Sequence, residues 1–192
     1  MLNGSSLPAK LHDEGGSGYH HEMCDGLCRW IPLSRFWDYL HVAKFDGQWK
    51  IVNVLWIPPP AAPKENLLQA ESNAVINCTT DYAEGGYEGN ADRMRKAVHP
   101  ELNKVLPLKH RRTGKLMLVK TTASQLIEMA GAKLGILEKE KRNVQVSVLD
   151  VMENVASVKL TSARYDDYLH LVKIDGEWKI INALWRQPLP AK

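Results

Sequence analysis

Residues 167–185 read DYLHLVKIDGEWKIINALW, and residues 38–56 read DYLHVAKFDGQWKIVNVLW. With Arg35 aligned on Arg164, an offset of 129 residues, fourteen of the twenty-two positions up to Trp56 and Trp185 are identical. Self-similarity at the length of a domain marks a tandem duplication rather than a short-period solenoid. Each copy has the form of a β-hairpin, because Asp46-Gly47 and Asp175-Gly176 stand between apolar, β-branched and aromatic runs. Asp-Gly suits the two-residue turn in which both central residues need positive φ. Such a turn also sets the register. Carried outward from the turn, the register puts Tyr168, His170, Val172, Ile181, Ala183 and Trp185 on one face. Leu169, Leu171, Trp178, Ile180, Asn182 and Leu184 fall on the other. Both faces are largely apolar, whereas a sheet wet on one side alternates cleanly. Cover is therefore expected twice, from helices of the same unit and from a second sheet or subunit. That pattern predicts a homodimer through the sheet face.

Between the copies lies enough chain for the rest of one domain. WIPPPAAPK, residues 56–64, reads as a proline-rich, semi-rigid spacer. From Glu65, Leu67, Leu68, Glu71, Ala74, Val75, Cys78 and Tyr82 recur at helical spacing, with Gly85-Gly86 as the expected end. Asn90 can cap a short helix through Val98, which His99-Pro100 terminates. KVLPLKHRRTGKLMLVK predicts two short strands about Thr113-Gly114. Thr122 and Gln125 form a capping box for a helix through Met129. Asn143 to Leu149 alternates as a strand, and Glu153-Asn154 turns the chain into Val155–Leu160. Helices followed by a paired antiparallel meander make an α+β domain.

That order, with VSVLDVMENVASVKL (146–160), YDDYLHLVKIDGEWKIINALW (165–185) and VHPEL (98–102), resembles the nuclear transport factor 2-like superfamily. The tail is most similar to the SnoaL-like branch named for lumazine binding. The resemblance spans about Glu65 to Pro188 and implies a cone-shaped, cystatin-like fold, a curved antiparallel sheet wrapped by three helices. It divides the chain into an irregular segment 1–33, a truncated duplicate hairpin 34–57, a linker 58–64 and the full domain 65–192. An isolated two-stranded hairpin is marginal in water. Trp49, Ile51, Leu55 and Trp56 are thus expected to find cover on the second unit's open sheet face or on a partner chain.

Several function classes are disfavoured. The net charge is +3, and the densest basic neighbourhoods, Arg93-Met94-Arg95-Lys96 and Lys109–Arg112, carry no interleaved aromatics, so no nucleic-acid partner is expected. No apolar run approaches the roughly 20 residues that span a bilayer. Three cysteines at no framework spacing and no secretory leader predict a reducing, cytoplasmic setting. His20, His21, Cys24 and Cys28 are adequate zinc ligands by chemistry but match no knuckle spacing, so no metal is expected. With no P-loop, dinucleotide fingerprint or nucleophile signature, no cofactor is expected either.

The resemblance implies a cavity on one sheet face, and with it the candidate residues. His170 and Tyr168 are the candidate acid–base pair, with His99 beside them. His170 stands near where ketosteroid isomerases on this fold place an oxyanion-stabilising acid; a hydrogen-bonded core histidine is the competing reading. The general base of those relatives would fall at Leu106–Leu108, where LPL supplies no carboxylate. Tyr82, Tyr87, His170 and Trp185 are candidates for contact with a small apolar or aromatic ligand. Three functions follow: ligand binding in an apolar cavity, SnoaL-like isomerase, lyase or dehydratase chemistry through His170, and a dimerising interaction module with a filled cavity.

Overall fold

A computed structural model of the chain describes residues 27–28, 36–58 and 65–188. Of the segment 1–33 read as irregular, only Leu27–Cys28 lie within those residues, and they form a strand; His20, His21 and Cys24 of the possible zinc ligands and most of the proline-rich linker lie outside. Within them the order is β1 (Leu27–Cys28), β2 (Trp37–Phe45), β3 (Gln48–Ile57), α1 (Glu65–Glu88), α2 (Ala91–Ala97), β4 (Val98–Lys109), β5 (Leu116–Thr121), α3 (Ala123–Gly131), β6 (Gln145–Met152), β7 (Val155–Thr161), β8 (Asp166–Ile174) and β9 (Glu177–Arg186). The fold is α+β, three helices against a curved, unclosed sheet.

Six strands form that sheet in the order β5-β4-β9-β8-β7-β6, antiparallel throughout except for the parallel pair β4–β9. The helices cover one face and bury Val75, Ala83 and Met94 against Val158, Leu169, Leu171 and Ile180. Local signals place several boundaries. The Thr122–Gln125 capping box is formed, Asn90 accepts a bond from the Arg93 amide, and the Asp-Gly turns take positive φ at all four residues.

Helix α1 does not stop at Gly85-Gly86 but runs to Glu88. Those glycines allow close crossing instead: a Cβ on Gly85 would stand 2.9 Å from the Met94 backbone nitrogen. The chain leaves the helix at Gly89, whose φ of +68° suits a residue without a side chain. The first of the two expected short strands is also longer, twelve residues from Val98, and takes in His99-Pro100.

The facial assignment drawn from the Asp-Gly turn holds only near the turn. Pairing runs Leu171↔Ile180 and then His170↔Asn182, so Ile181 is the extra residue of a β-bulge. Beyond it the faces exchange. Leu169 now pairs with Ala183 and Asp167 with Trp185, both on the helix-covered face. His170 pairs with Asn182 and Tyr168 with Leu184 on the outer face. The first hairpin bulges at the equivalent place, between His41 and Val42.

That hairpin packs on the outer face of the large sheet, and it gains a third strand where β1 pairs with Leu40 and His41. Equivalent residues of the two copies meet: His41 stacks on His170 with ring centroids 3.6 Å apart. Each imidazole Nδ1 lies near the amide of its own partner asparagine, Asn53 at 3.1 Å and Asn182 at 3.4 Å. Asn103 of β4 donates to Asn53 across the seam, and Tyr39 and Ile57 pack on Val155. The hairpin residues expected to be covered are largely not. Trp49, Ile51 and Trp56 remain 53%, 60% and 54% exposed, because the docked face is the one carrying Tyr39, His41 and Asn53.

Candidate functional site

On the helix-covered face the sheet and helices leave a cavity of about 290 Å³. Tyr82 and Tyr87 reach it from α1, Leu126 and Ala130 from α3, Lys104 from β4 and Trp185 from β9. The bulge at Ile181 turns Trp185 toward it. In β4 the register sets Lys104 beside Ala183 and opposite Thr121, on the side the helices close.

Lys104 is the one cation among those six residues, and its surroundings are specific. Its Nζ donates to Asp167 Oδ1 at 2.6 Å and to the Tyr82 hydroxyl. Three aromatic rings surround it, with centroids at 4.8 Å for Trp185, 5.2 Å for Tyr82 and 5.4 Å for Tyr165. Lys104 and Asp167 are both buried. Burial pulls the lysine below its ordinary pKa against the opposing pull of Asp167. It pushes the Asp167 carboxyl up, with Lys104 opposing. The Tyr82 hydroxyl is raised well above its usual value, first by burial and then by the Asp167 charge. Proton affinities in the dyad therefore approach each other, the condition for passing a proton between two groups at small cost. Asp167 Oδ2 and the indole nitrogen of Trp185 are buried with no hydrogen-bond partner among the described residues. Buried polar atoms without partners cost free energy and are uncommon, and Trp185 lines the cavity, so its indole N–H is a candidate to bond a guest.

Of the residues singled out from sequence, Tyr82, Tyr87 and Trp185 line this cavity. His170 and Tyr168 do not: the bulge leaves them on the outer face, where His170 meets His41. Burial holds His170 down to about 3, so it stays neutral beneath the docked hairpin. His99 sits at the start of β4, its Nδ1 accepting the Glu101 amide two residues on. Sequence reasoning passed over Lys104, Asp167 and Tyr165. The signal for Asp167 was present, since Asp38 and Asp167 are equivalent in the two copies. Lys104 gave none, because a lysine in a short apolar run reads as solvent-facing. Among the described residues no group of three or more His, Cys, Asp or Glu could hold a metal. No helix there is long and apolar enough to cross a membrane.

Residues 70–186 match the model of the family described as "Putative lumazine-binding". No curated protein matches the chain. Among solved structures, an NTF2-like protein of unknown function from Silicibacter pomeroyi is 16% identical with a TM-score of 0.52, covering 62% of this chain and 98% of that one. Another from Shewanella baltica is 16% identical with a TM-score of 0.49, covering 63% and 96%. At such identity the first likeness shows the fold alone. The family match covers well over half the chain, and the chain belongs to that family; its fold is that of the nuclear transport factor 2-like proteins.

Proposed function

We propose, from that membership and the cavity, that the chain binds a small, flat, aromatic or heterocyclic molecule on the helix-covered face. One observation carries the reading: an open, mostly apolar cavity lined by Lys104, which is paired with the buried Asp167 and ringed by Tyr82, Tyr165 and Trp185. Apolar walls with a few convergent polar groups are the usual form of a small-molecule site. Stacking against the rings supplies affinity, and an acceptor on the ligand facing Lys104 or the Trp185 indole N–H supplies orientation. A cavity open to this extent disfavours a module whose interior is filled by side chains. Isomerase, lyase or dehydratase chemistry in this cavity would fall to Lys104 and Asp167 rather than to His170.

Native mass spectrometry of the purified chain beside the same sample denatured tests the reading. The expected result is an added mass lost on denaturation and absent from Leu126→Trp, which fills the cavity. If no guest is retained, and a panel of flat aromatic compounds gives no binding that Leu126→Trp removes, the reading fails.

A further inference from the structure

We propose that Lys104 is an imine-forming lysine, whose Nζ condenses reversibly with the carbonyl carbon of an aromatic aldehyde or ketone held in the cavity. The inference rests on the reading of the cavity as a ligand site and adds the chemical class of the ligand.

Three features of the site carry it. First, Lys104 is among the residues that line the cavity, and its Nζ stands within 5.4 Å of the rings of Tyr82, Tyr165 and Trp185, which line it too, so a carbonyl bound against those walls lies near the amine. Second, the surroundings suit a fixed positive charge at that nitrogen: Asp167 at 2.6 Å and three rings within 5.4 Å. Condensation replaces an ammonium by a protonated imine, so the charge, its counter-ion and its cation–π partners all persist. A surface lysine has no such provision, because water stabilises its ammonium and hydrolyses its imine. Third, the dyad supplies the proton movements. Asp167 takes a proton from the ammonium, and the freed amine attacks the carbonyl carbon. The C–N bond forms as the C=O π bond opens, and one proton of the attacking nitrogen passes to the new alkoxide, giving a neutral carbinolamine while Asp167 keeps the proton it took. Asp167 returns its proton to the hydroxyl as the C–O bond breaks. Water leaves and the nitrogen lone pair closes the protonated C=N bond. Atoms and charge balance, since ammonium plus carbonyl gives iminium plus water. No oxidant or reductant takes part. The Trp185 indole N–H, without a partner among the described residues, is a donor for the carbonyl oxygen during attack. Desolvated lysines beside an acid–base group are the form that amine nucleophiles take in proteins.

The test uses the full chain with 2-naphthaldehyde at neutral pH, trapped with sodium cyanoborohydride and mapped by peptide mass spectrometry. Binding of the unreactive 2-naphthalenemethanol is measured in parallel by native mass spectrometry. Lys104 is expected to be labelled about tenfold faster than the exposed Lys109 and Lys115, with the alcohol competing. Asp167→Asn should slow labelling by more than it weakens alcohol binding. Because that variant leaves a buried charge without its counter-ion and is destabilised, competition in the unaltered chain stands as the independent measurement. Labelling confined to exposed lysines while the alcohol binds overturns the imine and leaves the ligand site standing. Failure of both compounds to bind overturns both.

Discussion

At the scale of single residues, the stacked His41 and His170 are the most consequential side chains outside the cavity. Both rings are fully buried, and neither Nε2 has a hydrogen-bond partner among the described residues. Burial lowers both pKa values, His170 to about 3 and His41 well below its ordinary value, with the His170 charge opposing His41 further. For a base depressed on folding, the unfolded chain binds more protons between the folded and unfolded pKa values. Stability is therefore full above about pH 6.5 and falls as pH drops toward 3, by about 1.4 kcal/mol per pH unit for each histidine. Thermal unfolding should show a constant Tm above pH 7, a falling Tm from 6.5 to 5, and a shallower fall in His41→Phe. A Tm flat from pH 7.5 to 5 would overturn this account. A second residue-scale prediction concerns the dyad. Asp167→Asn leaves the Lys104 charge buried without a counter-ion, a loss of about 3 kcal/mol in urea unfolding. Lys104→Met combined with Asp167→Leu removes both charges and should cost less than Asp167→Asn alone. Additive losses would show that the two groups do not act as a pair.

At the scale of elements, the sequence read best where one local interaction decides the conformation. The Asp-Gly turns, the Thr122–Gln125 box and the Asn90 cap each depend on neighbours within a few positions, and each formed. It read worst where the decision lies elsewhere in the chain. Nothing in INALW marks Ile181 as the residue that bulges, yet that one residue exchanges the faces of Ala183 and Trp185 with those of Asn182 and Leu184. The assignment had set Trp185 on the face of His170; in the structure Trp185 pairs with Asp167 instead, so the cavity that Trp185 lines lies on the other face from His170. Gly85-Gly86 failed for the same reason. Glycines that end a helix and glycines that admit a crossing helix look alike until the partner is known. Here the partner is α2, so Gly85→Ala should displace the Met94 backbone and cost about 1–3 kcal/mol. Amide exchange should quicken through α2 first. Unchanged protection there would mean the crossing has slack the geometry does not show.

At the scale of the whole molecule, the sequence likeness of the two hairpins accounts for an exposed apolar face. The first hairpin's docked side uses the residues equivalent to the outer face of the second, and its free side uses those equivalent to the helix-covered face. Trp49, Ile51, Val54 and Trp56 correspond to Trp178, Ile180, Ala183 and Trp185. In the second unit Trp178 and Ile180 are buried, and Glu71 of α1 bonds both the Trp178 indole at 2.8 Å and Lys173 at 2.6 Å. The first hairpin keeps the matching pair, Lys44 over Trp49 at 5.8 Å, with Trp49 more than half exposed. Phe36 stands edge-on to Trp56 with ring centroids 4.9 Å apart, and with Trp49, Ile51 and Val54 also exposed along β3 this is a row of large apolar side chains, the kind of surface that drives association. The outer sheet face, through which the sequence predicts a homodimer, is the face the hairpin already occupies. Association should therefore run through the hairpin's free side. Sedimentation velocity should show an average mass rising with concentration for the unaltered chain and much less for Trp49→Ser combined with Trp56→Ser. Since those side chains touch little else, the double variant should keep its unfolding midpoint within about 0.5 kcal/mol of the parent. A parent that stays monomeric at every concentration would show that the patch drives no association. A variant that lost its fold would show that the two tryptophans are needed by the docked hairpin itself.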